Sequence, residues 1–533
     1  MTAKYASHVS TRVTPQSEPI PGKPQVANSA GGYSFAVDCW TRLERFLILG
    51  CEGGSYYASE RKLTQENAQC VRDCAALDAK RTVQAIVDVS LYGRAPKNDP
   101  AIFALAMLSK DEHALKVMPQ VCRTGTHLFQ FVEAAQQFRG WGRSLRKAVA
   151  AWYEGQSGKQ LAYQLTKYQQ RNGWSHRDVL RKCHAHPMTW DGATDEVKSL
   201  ALRWAVGKAD FFSPDLLPCD APLAMIAAME HAKRATTKQE VVRLIREYGL
   251  VRECIPTKWL NELEVWDAML DGMPLTALIR NLGKMTAIEL VKPMSAAAGK
   301  ICVKLADVEH MKNSRLHPLA ILVAMKVYAQ GHGAKGKLNW NPDGHILNCL
   351  DGAFYSAFGN VEPTGKRWFL GCDVSGSMSN ACAGTVLECR EAVAAMALVT
   401  ARTEPNYVIA AFSDGLQTVD FSRMTRLDYA VRKMAEIPMG GTDCSLPMVY
   451  ALQHKIPVDV FVVLTDSETW CGSIHPCQAL QKYREKMGIP AKLIVAAFTS
   501  NEFSIADPAD AGMLDVVGFD TAIPQVMADF ATH

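Results

Sequence analysis

Asp373-Val374-Ser375-Gly376-Ser377 follows directly on the apolar run Trp368-Phe369-Leu370-Gly371-Cys372. That order puts one carboxylate and two hydroxyls on a single tight loop at the carboxyl end of an expected strand. Two more oxygen donors stand in matching contexts: Thr442 in Gly440-Gly441-Thr442-Asp443, and Asp466 at the end of the run that begins at Val460. A hard, oxygen-only set of low charge favours Mg²⁺, with Mn²⁺ as second choice, over zinc. Asp414 and Glu468 read as surface carboxylates, so no general base or leaving-group acid is specified and the site reads as non-catalytic.

Donors so spaced need strands to carry them. Strands are expected at Trp368–Asp373, Tyr407–Phe412, Val458–Thr465, Leu493–Phe498 and Leu514–Val517, with helices between them at Val386–Arg402, Leu427–Ala435, Leu446–His454 and Pro476–Lys486. Buried apolar strands alternating with helices imply a doubly wound parallel sheet, whose ligands bind at strand carboxyl ends. Asp373, Thr442 and Asp466 fall where that rule puts them. Asp373, Ser375, Ser377, Thr442 and Asp466 resemble the metal-ion-dependent adhesion site of a von Willebrand factor A (vWA) domain. Five protein oxygens, some acting through water, would leave a coordination position for an acidic protein ligand.

Before this unit the period changes. From about Gly31 to Gln330 apolar residues recur at helical spacing, as in Leu260, Leu263, Trp266, Met269 and Leu270, with Gly or Pro between segments. Some 300 residues of short helices read as a HEAT-like α-solenoid. The expected division is a flexible Pro-rich arm over 1–30, a helical domain over 31–365 ending in a loop-rich basic linker around Gly331–Thr364, and the α/β domain over 366–533. In the linker, Gly331-His332-Gly333-Ala334-Lys335-Gly336-Lys337 has glycines and a lysine but lacks the Ser/Thr of a phosphate loop and follows a helix, so nucleotide binding is rejected.

Charge is divided unevenly. The net charge is +4, yet the chain from Lys366 onward holds 13 Lys+Arg against 19 Asp+Glu; the rest of the totals of 58 and 54 leaves 45 against 35 before it. A basic first part suggests a polyanionic partner. The densest basic-aromatic tract runs from Arg139 to His186, with Glu154 and Asp178 its only acids. Arg143, Arg146 and Lys147 share one helix face. Lys159, Tyr163, Lys167 and Arg171 form a stripe at four-residue spacing on a helix ended by Gly173, and Ser175 caps a next helix bearing Arg177, Arg181 and His184. Cations at turn spacing match phosphates, and interleaved aromatics offer platforms for unstacked bases.

Taken together, the two halves resemble the Ro 60 kDa autoantigen family, whose N-terminal module is the TROVE domain. The residues that carry the match include Gly31-Gly32-Tyr33, Arg45-Phe46-Leu47, Gly53-Gly54-Ser55-Tyr56-Tyr57, Trp141-Gly142-Arg143 and Gln170-Arg171-Asn172-Gly173-Trp174-Ser175-His176, with the metal motif. The resemblance implies a closed ring of helical repeats joined to the vWA domain. It also implies that single-stranded 3′ ends of misfolded or precursor noncoding RNAs thread a basic hole, and that small structured Y RNAs bind outside it. A 3′ exoribonuclease is an implied partner. By position, Lys167, Arg171 and His184 match residues linked to Y RNA contact; charge placement adds Arg143, Arg146 and Lys147 without deciding between hole and rim. No signal peptide or membrane-spanning run is apparent, and the scattered cysteines read as buried thiols, so a cytoplasmic location is expected. The competing reading is a metal-dependent protein-adhesion scaffold that binds no RNA.

Overall fold

A computed structural model of the chain describes residues 13–49, 68–95, 97–189, 192–211, 222–314, 316–333, 337–358, 362–380, 382, 386–498, 502–518 and 523–532. From Cys39 to Ser356 the described residues are built mainly of helices, many of them with one apolar stripe. The helix Arg143–Glu154 buries Leu145, Val149, Trp152 and Tyr153. These recur every three or four residues, so Arg143, Arg146 and Lys147 are left on its exposed face. The helix Gly158–Lys167 starts at a capping box, Ser157 with Gln160, and buries Leu161, Ala162 and Leu165. Each Leu or Val so buried contributes about 1.5–3 kcal/mol against its exposed state.

The C-terminal unit is a six-stranded sheet in the order Met513–Val517, Lys492–Ala497, Val460–Thr465, Arg367–Asp373, Asn406–Phe412, Leu416–Thr418. All neighbours run parallel except the last pair. The order reverses on either side of Arg367–Asp373, the switch point at whose strand carboxyl ends such sheets bind ligands. Five of these strands lie within two residues of the expected ones; the short antiparallel edge strand is an addition.

Both ends of the helical run dock on this unit, the start on the edge strand Met513–Val517 and the finish on its helices Cys389–Thr403 and Leu427–Ala435, so the helices close into a ring. At the start, Arg45 is fully buried. It holds both carboxylate oxygens of Asp515 at 2.8 and 3.0 Å and the carbonyl of Phe503 at 2.9 Å. At the finish, Asp351 accepts from the Leu427 amide at 3.0 Å, Arg402 lies 3.5 Å over the Tyr355 ring, and Lys326 pairs with Glu391 at 2.6 Å. His317 reaches back to the Arg94 carbonyl at 3.2 Å, joining late and early helices directly. One apolar core runs from Ala228 in the ring to Ala531 in the α/β unit without a break.

Four expectations need correction. Described residues of the N-terminal arm are not loose: Gln16 is fully buried, and strands Gln25–Ala27 and Tyr33–Ala36 form a sheet with Phe503–Ser504. Prolines removed the local periods, and the order comes from hydrogen bonds to a distant segment instead. The linker around Gly331–Thr364 contains a helix, Gly344–Ser356, started by Asp343, whose carboxylate accepts from the amides of His345 and Ile346. The helix expected to run to Gly173 stops at Lys167; Gln170–Arg171 and Trp174–Ser175 pair as a hairpin whose turn residues Asn172 and Gly173 have φ of 52° and 76°. Arg171 therefore lies off the stripe of Lys159, Tyr163 and Lys167. The helix bearing Trp266 and Met269 begins at Leu263, so Leu260 sits in the preceding turn. The Gly53–Tyr57 motif and Ala334–Gly336 lie outside the described residues.

Candidate metal centre and nucleic-acid interface

The carboxyl ends of the parallel strands and the loops after them carry the oxygen donors named above. Asp373 ends its strand with no solvent exposure; Ser375, Ser377, Thr442 and Asp466 are each buried. The Asp373 carboxylate is fixed by the Ser375 amide at 2.8 Å and by the Thr465 hydroxyl at 2.5 Å. The Ser375 and Ser377 hydroxyls are 3.1 Å apart, and Ser377 also bonds Asp466. Burial, and then the Asp466 charge, push the Asp373 carboxyl up to about 7. Asp466 is raised too, chiefly by burial. Two buried carboxylates that resist ionisation side by side, with the Ser375 and Ser377 hydroxyls between them, form a donor set that could hold a hard divalent cation. Thr442 is buried on its own loop, where its carbonyl accepts from the Trp470 amide at 3.0 Å.

Glu468 departs from the surface role expected of it. It is buried, its Oε2 has no hydrogen-bond partner among the described residues, and burial followed by the Asp466 charge raises it to about 7 against hydrogen bonds from Ser29 and Ala30. Asp414 is exposed, as expected.

The N-terminal segment is bound into the loops that carry this centre. Gln16 donates to Asp443 Oδ1 at 2.7 Å and to the Ile474 carbonyl at 2.8 Å, and its own carbonyl oxygen accepts from the Gly472 amide at 3.2 Å and from the Thr469 hydroxyl. Asn28 donates to the Thr469 carbonyl at 2.7 Å. Gly32 passes so close that a Cβ there would lie 2.0 Å from the Thr469 carbonyl oxygen. One strap thus holds the Thr442 loop and the Asp466 loop in register. Replacing Gln16 with Leu strands several buried polar groups, at about 1–3 kcal/mol for each one left unsatisfied. Calorimetric melting should therefore show a clear fall in Tm for Gln16→Leu.

A second concave site lies inside the ring. A cavity of about 1150 Å³ is lined by cationic Arg123, Lys167, Arg246, Arg252 and Arg280 against Glu253 and Asp271. Polar Asn98, Thr124, Asn281 and Ser314 also border it. Lys167 ends its helix here: its ammonium donates to the Tyr163 hydroxyl at 2.6 Å and stands 4.9 and 5.3 Å from the Tyr163 and Tyr168 rings. Burial works against that charge, but the two tyrosines outweigh it and its pKa is raised. Sequence reasoning found only Lys167 of the five cations. The four arginines stand on separate segments between residues 123 and 280, and no local spacing links them; ring closure alone brings them together.

The remaining candidates lie elsewhere. Arg143, Arg146, Lys147, Arg171, Arg177, Arg181 and His184 are exposed, and none lines the cavity. His184 is the left-handed cap of the helix His176–Cys183, whose start is the Ser175–Asp178 capping box expected from sequence. Between these cations Lys182 stands 5.5 and 5.7 Å from the rings of Trp141 and Trp174, which are themselves 6.0 Å apart. The result is a basic-aromatic cluster, Lys182 with Trp141 and Trp174, outside the cavity. His176 belongs to neither: it is buried against the Tyr153 hydroxyl at 2.9 Å, and burial lowers it to about 4.

Comparison with known proteins agrees with this architecture. The TROVE domain model matches residues 26–326 and the Ro60 vWA domain model residues 367–531. An RNA-binding protein RO60 of Deinococcus radiodurans is 40% identical over 527 residues, covering 97% of each chain. One of Caenorhabditis elegans is 36% identical over 581 residues, covering 95% of this chain and 90% of that one. The crystal structure of the Deinococcus radiodurans RO (RSR) protein superposes with a TM-score of 0.69 at 39% identity, over 93% of this chain and 99% of that one.

Proposed function

This chain belongs to the Ro60 family of TROVE–vWA proteins, and on that footing we propose that it is a non-catalytic RNA-binding protein with two RNA surfaces and a metal-dependent docking point. The observation that carries the reading is the ring cavity, where five cations face two carboxylates. Phosphates of a single strand entering it would displace counterions, so affinity should fall steeply with salt. Shape supplies the selectivity: a free 3′ end of a misfolded or precursor RNA is narrow enough to enter, and a paired stem is not. The outward face of Arg143, Arg146, Lys147, Arg171, Arg177, Arg181 and His184 suits a small structured RNA of the Y class, read by shape and backbone. Ends released from the cavity are substrates for a 3′ exoribonuclease, the enzyme class that fits as partner. No described helix is long and apolar enough to cross a membrane, and the RNA substrates fit a cytoplasmic role.

Fluorescence anisotropy tests the ring reading. A hairpin with a single-stranded 3′ tail should bind the full-length protein well above the same hairpin with a blunt end, and the gap should shrink as salt rises. Equal affinity for both would defeat it.

For the metal centre the proposed ion is Mg²⁺, held by Asp373, Ser375, Ser377, Thr442 and Asp466, where it would offer a coordination position to an acidic side chain of a partner. The carboxylates give this a pH signature. A folded-state pKa of about 7 for Asp373, raised above its ordinary value, means that the metal-free protein loses stability as pH rises through that range. Protons also compete with the ion for these oxygens. The Mg²⁺-induced rise in Tm should therefore grow between about pH 4 and pH 7; a rise independent of pH would remove Asp373 from the ligand set.

A further inference from the structure

We propose that Cys302, His345 and Cys349 form a second metal site, specific for a thiophilic cation such as Zn²⁺, that clips two ring helices together beside the junction with the vWA domain. The two sulfurs and a His345 ring nitrogen all lie within 4.8 Å of one another, and no other trio of His, Cys, Asp or Glu ligand atoms comes so close among the described residues. A tetrahedral ion with bonds of about 2.0–2.3 Å holds its ligand atoms about 3.3–3.8 Å apart, so the two sulfurs, bonded to each other in the disulfide, would part to bind it, within the 4.8 Å that spans the trio. His345 and Cys349 are one turn apart on the helix Gly344–Ser356, so they share a face; Cys302 stands opposite on the helix Ala296–Ala306, with 5.5 Å between the Cα atoms of the two cysteines. Asp343 fixes the backbone beneath His345 by accepting its amide at 2.7 Å.

Access separates these residues from the other cysteines. Cys302 and Cys349 are half-buried and His345 is exposed, whereas ten of the twelve free cysteines described are buried. Two thiolates and an imidazole select a soft or borderline cation and reject Mg²⁺, so the site is chemically orthogonal to the oxygen-only centre in the sheet. Three protein ligands leave the fourth position to water.

The same two sulfurs also pair as a disulfide, so the clip has two mutually exclusive forms. Oxidation by a small-molecule disulfide takes two electrons and two protons from the thiols, forms the Cys302–Cys349 bond and releases the oxidant as two thiols. In the reduced form the thiols shed their protons to the solvent on binding the cation. Either form fastens the helix whose Asp351 and Tyr355 contact Leu427 and Arg402 of the vWA domain.

Cobalt(II) is the probe. Full-length protein, reduced with a phosphine and held in excess Mg²⁺ to fill oxygen sites, should take up one Co²⁺ with a sulfur-to-cobalt charge-transfer band that Zn²⁺ displaces. Cys302→Ser with Cys349→Ser should abolish the band. His345→Ala, at an exposed position where folding is not at stake, should weaken Co²⁺ at least about tenfold, since even outer-shell changes cost that much. Prior oxidation with glutathione disulfide should also abolish the band. No charge-transfer band in the reduced wild type, a band surviving the double serine variant, or a band surviving oxidation would each overturn the assignment.

Discussion

Reversing Arg252 and Arg280 to glutamate together will lower affinity for a 3′-tailed RNA by roughly a hundredfold or more and leave the ring folded. Both arginines line the cavity and are exposed. Among the described residues neither contributes a side-chain hydrogen bond or ion pair to the fold, so their loss should cost little stability. A charge-assisted phosphate contact is worth about 1.5–3 kcal/mol, so losing two is worth at least about 3 kcal/mol, or two decades in Kd. The salt dependence should flatten in step, because fewer counterions are released. The outer face supplies the control. Arg143→Glu with Arg146→Glu and Lys147→Glu should weaken a small structured RNA while sparing the tailed hairpin. If both variants weakened both ligands alike, the two surfaces would be one.

Asp373→Ala will eliminate Mg²⁺ binding measured by titration calorimetry. Asp373 is the fully buried member of the set, at the end of the central strand, where the Ser375 amide and the Thr465 hydroxyl hold it in place. In the wild type, saturating Mg²⁺ at a hundred times its Kd should add about 2.7 kcal/mol to stability by mass action. The variant should show none of that rise. Wild-type Mg²⁺ affinity in a folded Asp373→Ala protein would relocate the site. Gln16→Leu provides a graded comparison: its strap reaches Asp443 and Thr469 rather than the ligands, so it should lower Tm more than it lowers Mg²⁺ affinity.

What the sequence made legible was what depends on neighbours in the chain. Trp368–Asp373 is an apolar run ending in a carboxylate and Val458–Thr465 one followed by Asp466, so both the strands and two of the candidate donors could be read locally, and the structure puts the strands side by side and parallel. The Ser175–Asp178 cap and the buried face of Leu145 and Val149 were readable for the same reason. What escaped depends on contacts between distant segments. Gln16 has no local period to announce it, yet it is fixed by partners more than four hundred residues away. Arg123, Arg246, Arg252 and Arg280 are unremarkable on their own helices and loops, and become a site when His317 meets Arg94 and the ring closes. The hairpin at Asn172-Gly173 broke a four-residue spacing that looked helical, because two positive φ values outweighed the periodicity of the flanking cations. His345 and Cys349 gained a partner in Cys302 across two helices, one of which lies where a linker was expected.

Photocrosslinking of an RNA whose single-stranded 3′ tail carries a photoreactive base, bound to the full-length protein at near-physiological salt and mapped by peptide mass spectrometry, tests the central claim most directly. Crosslinks should fall in the segments that line the cavity, around Tyr168, Arg246 to Arg252 and Arg280. Crosslinks confined to the vWA surface, or to the outer face of Arg143 to Lys147, would contradict it.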